Sequence, residues 1–94
     1  MFDIIDEHIE KFQKEIYDAK FNQAGETLIT LTENIASVIE YIPEKKVNEF
    51  NMIITEVFEA QQRQDYLLVS DVLEFRLQPF LHSIEKKISK EKDR

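Results

Sequence analysis

The stretch FDIIDEHIEKFQKEI, residues 2–16, places Phe2, Ile5, Ile9, Phe12 and Ile16 at alternating intervals of three and four. That alternation keeps one narrow stripe of an α-helix apolar, as in bundles and coiled coils. Asp3, Asp6, Glu7, Glu10, Lys11, Lys14 and Glu15 fill the remaining positions, with acids toward the N-terminus, where the helix dipole favours them. Moved forward by 45 positions, the pattern recurs. Ile5 falls on Phe50, Ile9 on Ile54, Phe12 on Val57, Phe21 on Tyr66, Ala24 on Val69, Leu28 on Leu73 and Ile35 on Phe80. Few positions are identical, Ile9/Ile54, Leu28/Leu73 and Ile39/Ile84 among them. Each half reads as a helix, a tight turn near Phe21 or Tyr66, and a second helix, and two such halves can close one core between their apolar stripes.

The second helix carries Ala24, Leu28, Leu31, Ile35, Val38 and Ile42, with Asn22 as its expected N-cap. Ile42-Pro43 then breaks it, because the residue before proline avoids the helical region, and a restart at 43 or 44 is expected. The third helix holds Val47, Phe50, Ile54, Val57 and Ala60, with Ile53 and Phe58 widening the stripe. Gln61–Asp65 is polar and ends on Asp65, a good N-cap for a fourth helix beginning at Tyr66. That helix carries Val69, Leu73, Leu77, Phe80, Ile84 and Ile88, and Pro79 should kink it near Phe75–Leu77. The apolar spacing continues across Pro79, which favours one kinked helix over two short ones. The expected fold is all-α: an antiparallel, up-down-up-down four-helix bundle made of two helical hairpins, 1–42 and 43–94. It forms a single domain, 1–94, with 85–94 as a polar helix end or frayed tail.

Composition agrees. Ninety-four residues suit one domain, and 43% hydrophobic content with seven Phe and three Tyr supplies a core. One Gly and two Pro leave little for the turns of a sheet. Nineteen acidic against twelve basic residues, a net charge of −7, oppose nucleic-acid binding, which needs cations to neutralise phosphates. Residues 85–94 are the exception, with five basic and three acidic side chains. Positive charge there suits the C-terminal end of a helix dipole. The chain has no Cys, which fits a reducing compartment. No apolar run approaches the roughly 20 residues a bilayer needs, and the acidic start lacks signal-peptide character. A cytoplasmic location without membrane association is expected.

Catalytic and metal chemistry find little support. Carboxylate-bridged di-iron bundles need Glu-x-x-His on two helices, whereas Ile5 precedes His8 and Pro79 precedes His82 at that spacing. His82 and Glu85 form only a lone i, i+3 pair. A phosphate loop is ruled out by the single Gly, and Ser37, Ser70, Ser83 and Ser89 fall inside helical pattern, away from any nucleophile elbow. No enzyme activity, cofactor or metal is expected. Phe2, Phe12, Phe21, Phe50, Phe58 and Phe80 sit at core spacing and are read as core, not as base-stacking platforms. The first helix is amphipathic but acidic, so it suits a partner helix better than an anionic lipid surface.

One feature exceeds what a core requires. Leu67, Leu68, Val72 and Phe75 lie beside the Val69–Leu73–Leu77 row of the fourth helix. They either enter the core or form an exposed patch that docks another protein. Asp71 and Glu74, one turn apart with Tyr66 and Arg76 nearby, suit recognition of a basic or polar group. The candidate partner surface is therefore Leu67, Leu68, Asp71, Glu74 and Phe75, serving a protein partner or a second copy of the chain. The alternative is a ligand-binding bundle with a pocket between the hairpins.

Asp65, Tyr66, Asp71, Leu73, Glu74, Leu77 and Pro79 together form a pattern Asp-Tyr-x4-Asp-x-Leu-Glu-Phe-x-Leu-x-Pro. It resembles the C-terminal signature of a family of small, uncharacterised, all-helical bacterial proteins, with Phe75 where those have Tyr. Ala24, Leu28, Leu31 and Ile35 are similar to the family's preceding helix. The resemblance implies an all-α fold and no assigned activity. Some relatives accompany motility genes, which invites comparison with flagellar export chaperones, small helical bundles that sequester an apolar partner segment.

Overall fold

The structure, a computed structural model, describes residues 2–92, with side chains described through Glu85. Four helices carry the fold, and no strand occurs among the described residues. Helix α1 is Asp3–Tyr17, α2 is Phe21–Ser37 and α3 is Val47–Gln62. The fourth is continuous but built in three parts: α4 (Tyr66–Val72), a wide π-helical segment (Leu73–Leu77) and α5 (Gln78–Lys92). α1 packs along α2, α3 packs on α4 and the π segment, and α1 also meets α4. The buried side chains Ile5, Ile9, Phe12, Leu28, Leu31, Phe50, Val57, Val69, Leu73, Leu77 and Ile84 form one core.

The turn between α1 and α2 and the turn between α3 and α4 are copies of each other. Ala19 and Gln64 take the left-handed conformation at φ 60° and 58°. After the first, Lys20 N–H donates to Glu15 and Ala19 N–H to Ile16; after the second, Asp65 N–H donates to Ala60 and Gln64 N–H to Gln61. Both are Schellman closures, which satisfy the orphan carbonyls at a helix end. Lys20 (φ −93°, ψ 67°) and Asp65 (φ −89°, ψ 77°) then open the next helix with nearly the same backbone. Each position lies 45 residues from its counterpart, so the repeat in the apolar pattern is also a repeat in geometry.

Several expectations need correction. Asn22 does not cap α2: the closure places Lys20 at the cap, no side chain bonds there, and Asn22 lies inside the helix. The second helix does not run to Ile42 in α form. It ends at Ser37, and Ile39–Tyr41 tightens to a 3₁₀ turn, because Ile42 must be extended (ψ 123°) before Pro43. Pro43 is itself extended, Glu44–Lys46 makes a second 3₁₀ turn, and α3 starts at Val47. Phe21 and Phe58 are not core residues; both are exposed. The expectations for Ile88 and for the side chains of 86–94 lie outside the described residues.

The π segment has a register consequence. Ahead of it, buried residues of α2 and of the fourth helix match at an offset of 45: Ala24/Val69, Thr27/Val72 and Leu28/Leu73. Behind it they match at 46: Leu31/Leu77, Ile35/Leu81 and Val38/Ile84, while Arg76 and Ser83, which an unbroken offset of 45 would bury, are exposed. A π turn holds one residue more than an α turn, so it absorbs an insertion without turning the following stripe out of the core. It falls just ahead of Pro79, which has no N–H to donate one turn back, so the ladder there is already interrupted.

Candidate functional site

Asp65 sets the start of the fourth helix, its carboxylate accepting from Leu68 N–H at 3.2 Å. From that start, Val69, Val72 and Leu73 turn inward and are buried, while Leu67, Leu68, Asp71, Glu74 and Phe75 are exposed. Leu67 and Phe75 are exposed by 71% and 69%. Of the four surplus apolar residues, only Val72 joins the core. Leu67, Asp71 and Glu74 follow one another at four and three residues, and Leu68, Asp71 and Phe75 at three and four. All five therefore share the outer side of the helix.

The polar members differ in their engagement. Glu74 accepts a hydrogen bond from Gln13 of α1 at 3.2 Å, so it has a structural duty that sequence spacing did not suggest. Arg76 turns the other way and pairs with Glu56 of α3. Asp71 has no hydrogen-bond or ion-pair partner among the described residues, and it is exposed between Leu67, Leu68 and Phe75. It is the acid left available for an external group.

Tyr66, at the start of the fourth helix, is partly buried and packs against the core. Its ring stacks on Phe21 at 5.9 Å and 20° and meets Phe12 edge-on at 6.4 Å, bridging to α1 and α2. Ile16, Phe21, Tyr66 and Leu67 line one shallow, mainly apolar depression at this end of the molecule. Phe21 therefore extends the exposed face onto α2. The pairing of Phe21 with Tyr66 in the repeat was the available signal, but periodicity alone places both in the core.

Both histidines and the buried carboxylate of Glu15 have partners close by. His82 Nε2 lies 2.9 Å from Asp6, which also accepts from Gln78 at 3.0 Å. His8 Nδ1 lies 2.7 Å from the Ile4 carbonyl oxygen. Buried Glu15 accepts from buried Thr27 at 2.5 Å. Among the described residues, no group of three or more His, Asp or Glu converges as a metal site would require. No described helix is long and apolar enough to cross a membrane.

A family model described as a domain of unknown function, DUF8042, matches residues 1–87. No curated protein and no solved structure is significantly similar.

Proposed function

The chain belongs to the DUF8042 family of domains of unknown function, and from the outer face of its fourth helix we propose that it is a non-catalytic protein–protein interaction module. The observation that carries this reading is the exposure of Leu67, Leu68 and Phe75 around Asp71, which has no partner among the described residues. Large apolar side chains grouped on one surface are costly in water unless a partner covers them. The partner is a cytoplasmic protein that presents an apolar segment with a basic group for Asp71, in the manner of a chaperone-like adaptor. A second copy of the chain, a homodimer, is the competing occupant. Neither nucleic acid nor membrane is a partner in this reading. The Asp65-to-Pro79 pattern is taken as this family's bacterial hallmark.

The architecture that presents the face is read as an antiparallel, up-down-up-down bundle of two hairpins, 1–42 and 43–94, with the fourth helix bent near Pro79. Polar links between α1 and the fourth helix support the antiparallel sense. Position 13 on α1 meets 74, and position 6 meets 78 and 82, so one index falls as the other rises.

The test compares wild type with Leu68→Asp in affinity capture from native lysate, with solution mass by light scattering. A partner held by wild type and lost by the variant, both at monomer mass, is the expected result. A dimer that Leu68→Asp dissociates selects the homodimer. Identical capture and identical mass for both proteins remove the reading.

A further inference from the structure

The walls between α2 and α3 enclose a second, separate feature. Thr32, Ile35, Ala36, Ile39, Ile54 and Phe58 are among the residues lining a depression of about 130 Å³ there. Its one polar side chain, Thr32, is already satisfied, its hydroxyl donating to the Leu28 carbonyl at 2.9 Å. The rest of the lining is apolar and partly open to solvent, with Ile39 exposed by 52% and Phe58 by 42%. Ile29, exposed by 58%, lies on the same side of α2, three residues before Thr32 and seven before Ala36. From Ile29 to Ile39 the apolar strip runs about 15 Å, close to three turns of a docked helix.

Charge selects the occupant. The helices that wall the depression, 21–37 and 47–62, contain Glu26, Glu33, Glu49, Glu56 and Glu59 and no Lys, Arg or His. Glu26 and Glu33, seven residues apart, form one exposed row beyond Ile29 and Ala36 on α2, and exposed Glu40 follows Ile39. Among the described residues, Glu49 and Glu56 are the wall carboxylates that form ion pairs, with Lys46 and Arg76. A second copy would bring the same uncompensated carboxylates against this rim and add another net charge of −7. We propose that the α2–α3 groove takes an amphipathic helix of a partner protein whose apolar stripe is flanked by Lys or Arg. The apolar stripe fills the groove in the helix-in-groove mode, and the basic flank faces Glu33 and Glu40. This surface is distinct from the fourth-helix face and stands whether or not that face binds anything.

The test uses the full chain and two labelled peptides of about four helical turns. Both carry Leu at i, i+3, i+4 and i+7; one has Lys on the flanks, the other Glu. Fluorescence anisotropy should show the Lys peptide binding at least about tenfold more tightly than its Glu twin at low salt. Ala36→Gln combined with Ile39→Gln, both neutral changes at exposed positions, should weaken the Lys peptide about tenfold without changing helix content. Glu33→Gln, which should not disturb folding, should weaken it about threefold. Leu68→Asp should leave it unchanged. Equal binding of the two peptides, an unaltered groove variant, or loss of binding in Leu68→Asp would each overturn the assignment. So would self-association that the groove variant abolishes.

Discussion

Glu15 and Thr27 occupy, in the first half, the places that Ala60 and Val72 occupy 45 residues later, and all four are buried. One half solves this spot with a carboxylate–hydroxyl bond of 2.5 Å and the other with two apolar side chains. Removing one partner strands a buried polar group, so Thr27→Val should lower stability by about 1–3 kcal/mol. The double change Glu15→Ala with Thr27→Val imports the other half's solution and should recover most of that loss, because apolar replacement of both partners is nearly neutral. Urea midpoints of wild type, Thr27→Val, Glu15→Ala and the double variant form a double-mutant cycle; additive losses would contradict the equivalence. Gln64 makes a second residue-scale case. Its left-handed φ of 58° strains any side chain, and glycine is the usual occupant of that helix-closing position. Gln64→Gly should raise the urea midpoint by the equivalent of about 0.5–1 kcal/mol.

At the scale of elements, the stripe of α1 and the start of the fourth helix were legible, since Asp65 both looks like a cap and bonds as one. The start of α2 was not, because Lys20 holds the cap position by backbone closure alone and Asn22 is a better cap by side chain. The π segment was also hidden. Its bulge changes the offset of the halves by one, and Ile35/Phe80 matches either way because Phe80 and Leu81 are both buried. If the segment absorbs an extra residue, deleting exposed Phe75 should keep helical circular dichroism and cooperative unfolding, with Leu77 returning to an offset of 45 from Leu31. Deleting exposed Thr55 from α3 should abolish cooperative unfolding, since each later residue turns by about 100° and Val57 and Ala60 leave the core. Equal tolerance of both deletions would refute the register account.

Across the whole molecule, neither half completes the core. α1 reaches the other half through Phe12 against Tyr66, Gln13 against Glu74 and Asp6 against Gln78 and His82. An isolated pair of helices leaves its stripe wet, and short helices in water are marginal without packing. Residues 1–42 and 43–94, made separately, should each show weak helical circular dichroism and recover it on mixing. Two independently folded halves would exclude a shared core. Tyr66→Ala, which removes both cross-half ring contacts, should cost about 1–3 kcal/mol by urea denaturation.

Spacing of apolar residues at threes and fours was enough to determine four helices and most of the buried set. A stripe must be buried somewhere, and local periodicity says which side it is on. What it cannot say is how many such residues one interior holds. That limit is set by the distance between packed helices, so only the tertiary structure left Leu67, Leu68, Phe75 and Phe58 outside and assigned Glu74 to Gln13 while Asp71 stayed open to solvent.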